Sequence, residues 1–171
     1  MHEIKIPKQR VGCLIGKNGV DKKIIERSTK AKIKVNVEGE VEIDGDSLGE
    51  YVCAKIVKAI GRGFTPEIAL RLVNDAYGLE VIDIKSHCAG SQKKITRIKS
   101  RLIGSGGKAR KVIEKITGCD VRVYGKTISL IGELDKLSVA LRGVEKLLSG
   151  SPHGPVYAFL EREIKKLKRL T

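Results

Sequence analysis

Slid against itself by 88 residues, the chain matches its own sequence. Leu14-Ile15-Gly16-Lys17-Asn18-Gly19 falls on Leu102-Ile103-Gly104-Ser105-Gly106-Gly107, and Ile24-Ile25-Glu26 falls on Val112-Ile113-Glu114. Thr29 meets Thr117, and Ile33 and Val35 meet Val121 and Val123; after a slip of one residue, Val41, Ile43 and Gly45 meet Ile128, Leu130 and Gly132. A register that persists through apolar, glycine and carboxylate positions marks a duplicated module. The 171 residues are therefore expected to form two small domains, each long enough to bury a core.

Each copy reads as the same string of elements. After the second glycine loop, Ala109, Val112, Ile113 and Ile116 recur at helical spacing, and Gly118 offers a left-handed stop. Two alternating segments come next, Val121-x-Val123 and Ile128-x-Leu130, joined by Tyr124-Gly125-Lys126 as a hairpin tip. A last helix then carries Leu134, Leu137, Leu141, Val144 and Leu148 on one face. The first copy repeats this with Ile33-x-Val35-x-Val37, Val41-x-Ile43 and a helix through Leu48, Val52, Ile56 and Ile60. A strand precedes each loop region, at Ile4-x-Ile6 and around Val81–Ile84, which gives strand, helix, glycine loop, helix, strand, strand, helix. Between the copies, Gly61-Arg62-Gly63 breaks the chain, and Thr65-Pro66 supplies an N-cap with proline at the first helical position. Beyond Ser151-Pro152-His153-Gly154-Pro155, a segment through Phe159, Ile164, Leu167 and Leu170 reads as a basic amphipathic helix, expected to dock on the preceding domain.

The charge narrows the partners. With 34 Lys and Arg against 20 Asp and Glu the net charge is +14, which favours a polyanion. No apolar run approaches a membrane span and the start lacks a signal-peptide core, so the expected location is the cytoplasm with no membrane partner. Cys13, Cys53, Cys88 and Cys119 lack the paired spacing of a zinc site, and they are expected to be reduced thiols. His2, His87 and His153 stand in unrelated contexts, and the nearest carboxylate pair, Asp44 and Asp46, lies on an acidic strand edge. No catalytic residue, metal or cofactor is expected.

Three phosphate-binding readings compete for Gly104-Ser105-Gly106-Gly107-Lys108-Ala109. A P-loop needs glycine and Ser or Thr where Leu102 and Ala109 stand. A dinucleotide fingerprint must follow a strand, whereas residues 95–103 are basic and helical in period. The third is a Gly-x-x-Gly turn between two helices, carried by both Gly16-Lys17-Asn18-Gly19 and Gly104-Ser105-Gly106-Gly107. With the apolar Leu-Ile entry, the basic second helix and the order of elements, each copy resembles a type I KH domain. The resemblance implies an α+β fold of two tandem type I KH domains (β-α-α-β-β-α), each a three-stranded sheet packed by three helices. The expected boundaries are 1–64 for the first domain, 65–78 for a connecting helix, 79–150 for the second domain and 151–171 for the C-terminal basic helix. Without Cβ atoms such a loop lets a nucleic-acid backbone approach the N-terminus of the next helix, and about four unpaired nucleotides can lie in the adjoining groove.

The two grooves are not equal in charge. Residues 93–126 hold eleven bases and two acids; residues 5–34 hold ten and two, but residues 35–50 contain six acids and no base, including Glu38-Gly39-Glu40 at the hairpin tip. Carboxylates within a Debye length of about 8–10 Å repel a phosphate track. The second domain is therefore expected to be the main RNA site. Its predicted residues are the clamp Gly104, Ser105, Gly106 and Gly107, the apolar Ile103 and Val112 beneath bases, Lys108, Arg110 and Lys111 near phosphates, and Arg122 and Lys126 on the opposite wall. Gly16, Lys17, Asn18 and Gly19 form a secondary site. No aromatic neighbours either loop, so stacking platforms are not offered.

The run Ser100–Thr117, with the tail Leu147-Leu148-Ser149-Gly150-Ser151-Pro152-His153-Gly154-Pro155-Val156-Tyr157, resembles the archaeal and eukaryotic two-KH ribosome-biogenesis family. Members of that family partner the endonuclease that forms the small-subunit rRNA 3′ end. The resemblance implies three partners: single-stranded rRNA near that end, the pre-small ribosomal subunit, and a PIN-domain endonuclease. Eukaryotic members lack the first Gly-x-x-Gly, whereas this chain keeps it, an archaeal trait. The alternatives are a general messenger-RNA or small-RNA binder and, more remotely, a metal-dependent RNA-processing enzyme.

Overall fold

The computed structural model describes residues 1–170 and divides into two compact units, Met1–Tyr77 and a second beginning at Gly78. In the first, strand β1 (His2–Lys5) leads to α1 (Val11–Ile15), the first glycine loop, α2 (Val20–Thr29), the hairpin β2 (Lys32–Val35) and β3 (Glu40–Asp44), and α3 (Ser47–Gly61). In the second, β4 (Tyr77–Asp83) is followed by α5 (Gln92–Ile103), the second glycine loop, α6 (Lys108–Thr117), β5 (Asp120–Tyr124), β6 (Thr127–Glu133) and α7 (Leu134–Leu148). The sheets have the same order, β1-β3-β2 and β4-β6-β5, with the last strand of each in the middle. This is the duplicated β-α-α-β-β-α arrangement that the repeat implies.

Alternation sets which face each sheet buries. In the first, Ile33 pairs with Ile43 and Val35 with Val41, and Ile33, Val41 and Ile43 are buried, while Lys32, Lys34, Glu40, Glu42 and Asp44 face outward. The second core gathers Ile95 and Leu102 of α5, Ile113 of α6, Val121 of β5, Ile128 and Leu130 of β6, and Leu137 and Val144 of α7. Several expectations need correction. Val37 does not extend its strand: it is 81% exposed, because the Asn36 side chain accepts the amides of Glu38 and Glu40 and turns the chain. Leu48 and Leu134 sit exposed in the first turns of α3 and α7, and Cys53, Val57, Ala140 and Leu147 carry burial in their place. In β4 the residue packed on the core is Ile82, with Ile84 just beyond. The connecting helix is only α4 (Pro66–Ala69) and a 3-10 turn (Leu70–Val73), since Asn74 leaves the helical region at ψ 122. Thr65 does cap α4, accepting from the Ile68 amide at 3.4 Å.

The last helix, α8 (His153–Leu170), buries Val156, Leu160 and Ile164 in the second core. Each such side chain contributes about 1.5–3 kcal/mol when fully buried, so α8 is an integral layer of this unit. Leu170 is 83% exposed and lies outside that stripe. All four cysteines are free. Desolvation pushes the thiols of Cys53 and Cys119 up to about 11, which keeps them protonated and inert near neutral pH. No helix among the described residues is long and apolar enough to cross a membrane.

Candidate nucleic-acid interface

The two glycine loops share one backbone. Gly16 and Gly104 leave their helices at φ/ψ of 75/176 and 76/173, a region open essentially to glycine alone. Asn18 and Gly106 lie in the left-handed region at 56/27 and 60/24, and Gly19 and Gly107 at 74/14 and 77/14. Asparagine is the residue after glycine that adopts this region most readily, so Lys-Asn replaces Ser-Gly without altering the turn. Gly107 is the N-cap of α6 and offers no side chain to its first amides. The Lys108 amide is taken by the Ser105 carbonyl of the preceding 3-10 turn, and the macrodipole of α6 leaves a positive helix end beside the loop.

The copies part at the first turn of the helix after each loop. The position of Ala109 in α6 is Asp21 in α2, and that carboxylate lies so close against Gly16 that a Cβ there would collide with it. The N-terminal end of α2 thus already has an anion. α6 has no acid in its first turn and begins Lys108-Ala109-Arg110-Lys111, with Lys108 and Lys111 at least partly in solvent. Cations at a helix N-terminus oppose the macrodipole. A phosphate held at the loop would relieve that conflict, and nothing comparable is needed in the first copy.

Beside the second loop lies a groove lined by Gln92, Thr96, Lys99 and Ile103 along one stripe of α5, and by Gly125 and Lys126 of the hairpin tip on the other side. The tip is tied in place, since the Lys126 carbonyl accepts the Ile84 amide at 2.8 Å. Of the predicted residues, the structure places Ile103 and Lys126 in the groove lining; the four loop residues follow Ile103 directly in the chain, and Lys108 and Lys111 are exposed at the start of α6. Val112 is half-buried in α6 and does not line the groove. Arg110 and Arg122 converge on Glu114, the first from four residues earlier on the same helix and the second from β5, instead of facing the groove. The stripe Gln92, Thr96 and Lys99 escapes a reading of the sequence alone. Its spacing of four, three and four residues to Ile103 identifies it once Ile103 is placed on the groove. In the first copy the Gly39 carbonyl takes the role of Lys126, accepting from Ile6 at 2.8 Å, so the equivalent wall has no lysine and is flanked by Glu38 and Glu40.

Glu114 also explains one repeated residue whose purpose the sequence leaves open. It accepts the Val121 amide at 3.3 Å, and Glu26 accepts the matching Ile33 amide at 2.9 Å. In each copy this carboxylate stitches the second helix to the strand after it. Glu114→Ala removes the acceptor of the Val121 amide and the anion shared by two guanidinium groups, and is expected to lower stability by about 2 kcal/mol. Glu114→Gln, which keeps an acceptor, should lose about half as much; urea unfolding monitored by circular dichroism checks both.

Comparison with known proteins respects the same division. Residues 78–165 match the eukaryotic-type, type I KH domain, and residues 1–59 match the general KH domain. A KH domain-containing protein of Methanocaldococcus jannaschii is 49% identical over 171 residues, covering 97% of this chain and 75% of that one. The pre-rRNA-processing protein pno1 of Aspergillus fumigatus is 30% identical over 116 residues, 66% of this chain but only 45% of its own length. Dim2p of Pyrococcus horikoshii, 44% identical, superimposes with a TM-score of 0.86 over 94% of this chain and 98% of that one. The a/eIF2α–aDim2p–rRNA complex from the same organism gives 0.87 over 96% and 94%, again at 44% identity. At these identities and coverages, the chain belongs to the Dim2/Pno1 family of two-KH-domain proteins.

Proposed function

We propose that this chain is a non-enzymatic adaptor of small-subunit assembly that holds a single-stranded segment near the 3′ end of the small-subunit rRNA in the groove of its second unit. The observation that carries this reading is the concentration around one glycine loop of a helix N-terminus without an acid in its first turn, the exposed Lys108 and Lys111, and Lys126 on the groove. The relatives agree in direction: one is a pre-rRNA-processing protein and another has been solved with rRNA. The KH groove accommodates about four nucleotides, which suits ordering a strand for a nuclease rather than cutting it. The PIN-domain endonuclease is the partner this reading supplies, acting on the pre-small subunit in the cytoplasm. Occupation of the same rRNA segment would keep an immature subunit from engaging messenger RNA.

Competition binding tests the assignment. An rRNA 3′-end oligonucleotide is expected to displace a labelled strand at least about tenfold more effectively than a scrambled strand of equal length, a difference of about 1.4 kcal/mol. Equal displacement would favour a general single-strand binder.

A further inference from the structure

The helices α7 and α8 bring three cations around one aromatic ring, with a fourth beside them. The Arg142 guanidinium lies 5.4 Å, the Lys146 ammonium 4.7 Å and the Arg162 guanidinium 5.8 Å from the centre of the Phe159 ring. Lys166 joins them through Glu163, which also contacts Arg142 and Arg162, at 3.2, 3.5 and 3.9 Å respectively. The cations around Glu163 keep its carboxyl below the usual carboxylate range, Lys166 foremost. One carboxylate cannot balance four cations. Arg142, Arg162 and Lys166 keep 50%, 62% and 59% of their side-chain surface in solvent, whereas Glu163 keeps 16%. The arrangement is asymmetric: the little-exposed acid gathers the charged heads of Arg142, Arg162 and Lys166 into one cluster, and each of those side chains still keeps half or more of its surface in solvent.

The patch is also fixed relative to the groove. Arg101, in the last turn of α5 just before Gly104, donates to the Leu147 carbonyl at 3.1 Å and to the Ser151 carbonyl, and His153 Nε2 meets the Arg101 carbonyl at 2.8 Å. The turn between α7 and α8 is therefore latched to the helix that forms one side of the groove. Lys146 lies directly before Leu147, and Phe159 to Lys166 extend along α8 from His153, about 10–20 Å at 1.5 Å per residue.

We infer that the Arg142, Lys146, Arg162 and Lys166 patch on α7 and α8 is a second RNA contact, binding the phosphate backbone of the same strand beyond the nucleotides held in the groove. The choice of ligand rests on charge complementarity: clustered, half-solvated cations with few acids suit successive phosphates. The inference rests on the groove reading above, and the experiment separates the two.

Fluorescence anisotropy would compare an rRNA 3′-end strand of about six nucleotides with the same strand extended to about eighteen. Wild-type binding of the short strand tests the groove alone. Arg142→Gln/Lys146→Gln/Arg162→Gln is expected to leave the short strand within about twofold and to weaken the long strand about tenfold, with the log–log salt slope flattened by about 2. Glu163→Gln, which removes the acid that Arg142, Arg162 and Lys166 share, should tighten the long strand about two- to threefold, a gain that misfolding cannot imitate. Unchanged long-strand binding in the triple variant would overturn the inference and leave the patch to an acidic protein segment. Equal loss for both lengths would overturn it as well, because the patch would then act only through the groove.

Discussion

Ser105→Asp/Gly106→Asp is expected to weaken binding of an rRNA 3′-end oligonucleotide at least about thirtyfold, whereas Lys17→Asp/Asn18→Asp changes it less than about threefold. Each new carboxylate in the second loop would face a phosphate at short range, where repulsion between like charges amounts to about 1 kcal/mol or more at an effective dielectric between water and the protein surface. Two of them give about 2 kcal/mol, or thirtyfold. The fold should survive, because the first loop already carries a branched polar side chain, Asn18, at φ 56 where the second has Gly106 at φ 60. The first-loop pair should matter little for a different reason. Asp21 already stands at the N-terminal end of α2, and the facing hairpin bears Glu40 and a Glu38 paired with Lys8, so on the proposed reading that groove would attract phosphate weakly before any substitution. Anisotropy titrations at two salt concentrations, with circular dichroism to verify folding, decide the matter. Wild-type affinity in the second-loop variant would mean that binding is diffuse electrostatics. Comparable loss in both variants would mean that the two loops share one strand.

The duplicated register reveals the loops, the element order and the asymmetry of charge, because these depend on residues near one another in sequence. The groove's far wall is legible only in part. Its position at a hairpin tip predicts Lys126 there, and the tip does come round, held by the Ile84 amide. The same reasoning predicts Arg122, two residues before Tyr124 on that hairpin; its guanidinium instead meets Glu114. A sequence pattern states that a basic residue lies on a strand but not which neighbour it meets, and here a carboxylate on α6 takes it. Glu26 and Glu114 show the converse: their repetition is visible, yet their task of accepting a strand amide exists only once helix and strand are packed. Leu48 and Leu134 escape their predicted burial because periodicity fixes a stripe but not where it begins, and the first turn of a helix can project beyond the core.

Gly104→Ala is expected to lower stability by about 3 kcal/mol or more, against about 1 kcal/mol for Gly107→Ala. The two glycines differ in kind. Gly107 needs only the left-handed region, and a Cβ there meets nothing nearer than the flexible Lys111 Cε at 3.9 Å. Gly104 combines φ 76 with ψ 173, which side chains essentially never adopt, and a Cβ would stand 2.6 Å from the Ala109 amide nitrogen and 2.8 Å from its Cβ. Those atoms belong to the second residue of α6, so relief requires α5 and α6 to move apart. Their separation sets the loop, and Leu102 and Ile113 on either side are fully buried in the core. Urea unfolding of both variants measures the difference. An equally mild loss at Gly104 would show that the α5–α6 elbow can reposition without disturbing the core, and the loop would then be an adjustable clamp. A large loss at Gly104 with intact RNA affinity in Gly107→Ala assigns the first glycine to the elbow and leaves the exposed pair between them as the face that meets the backbone.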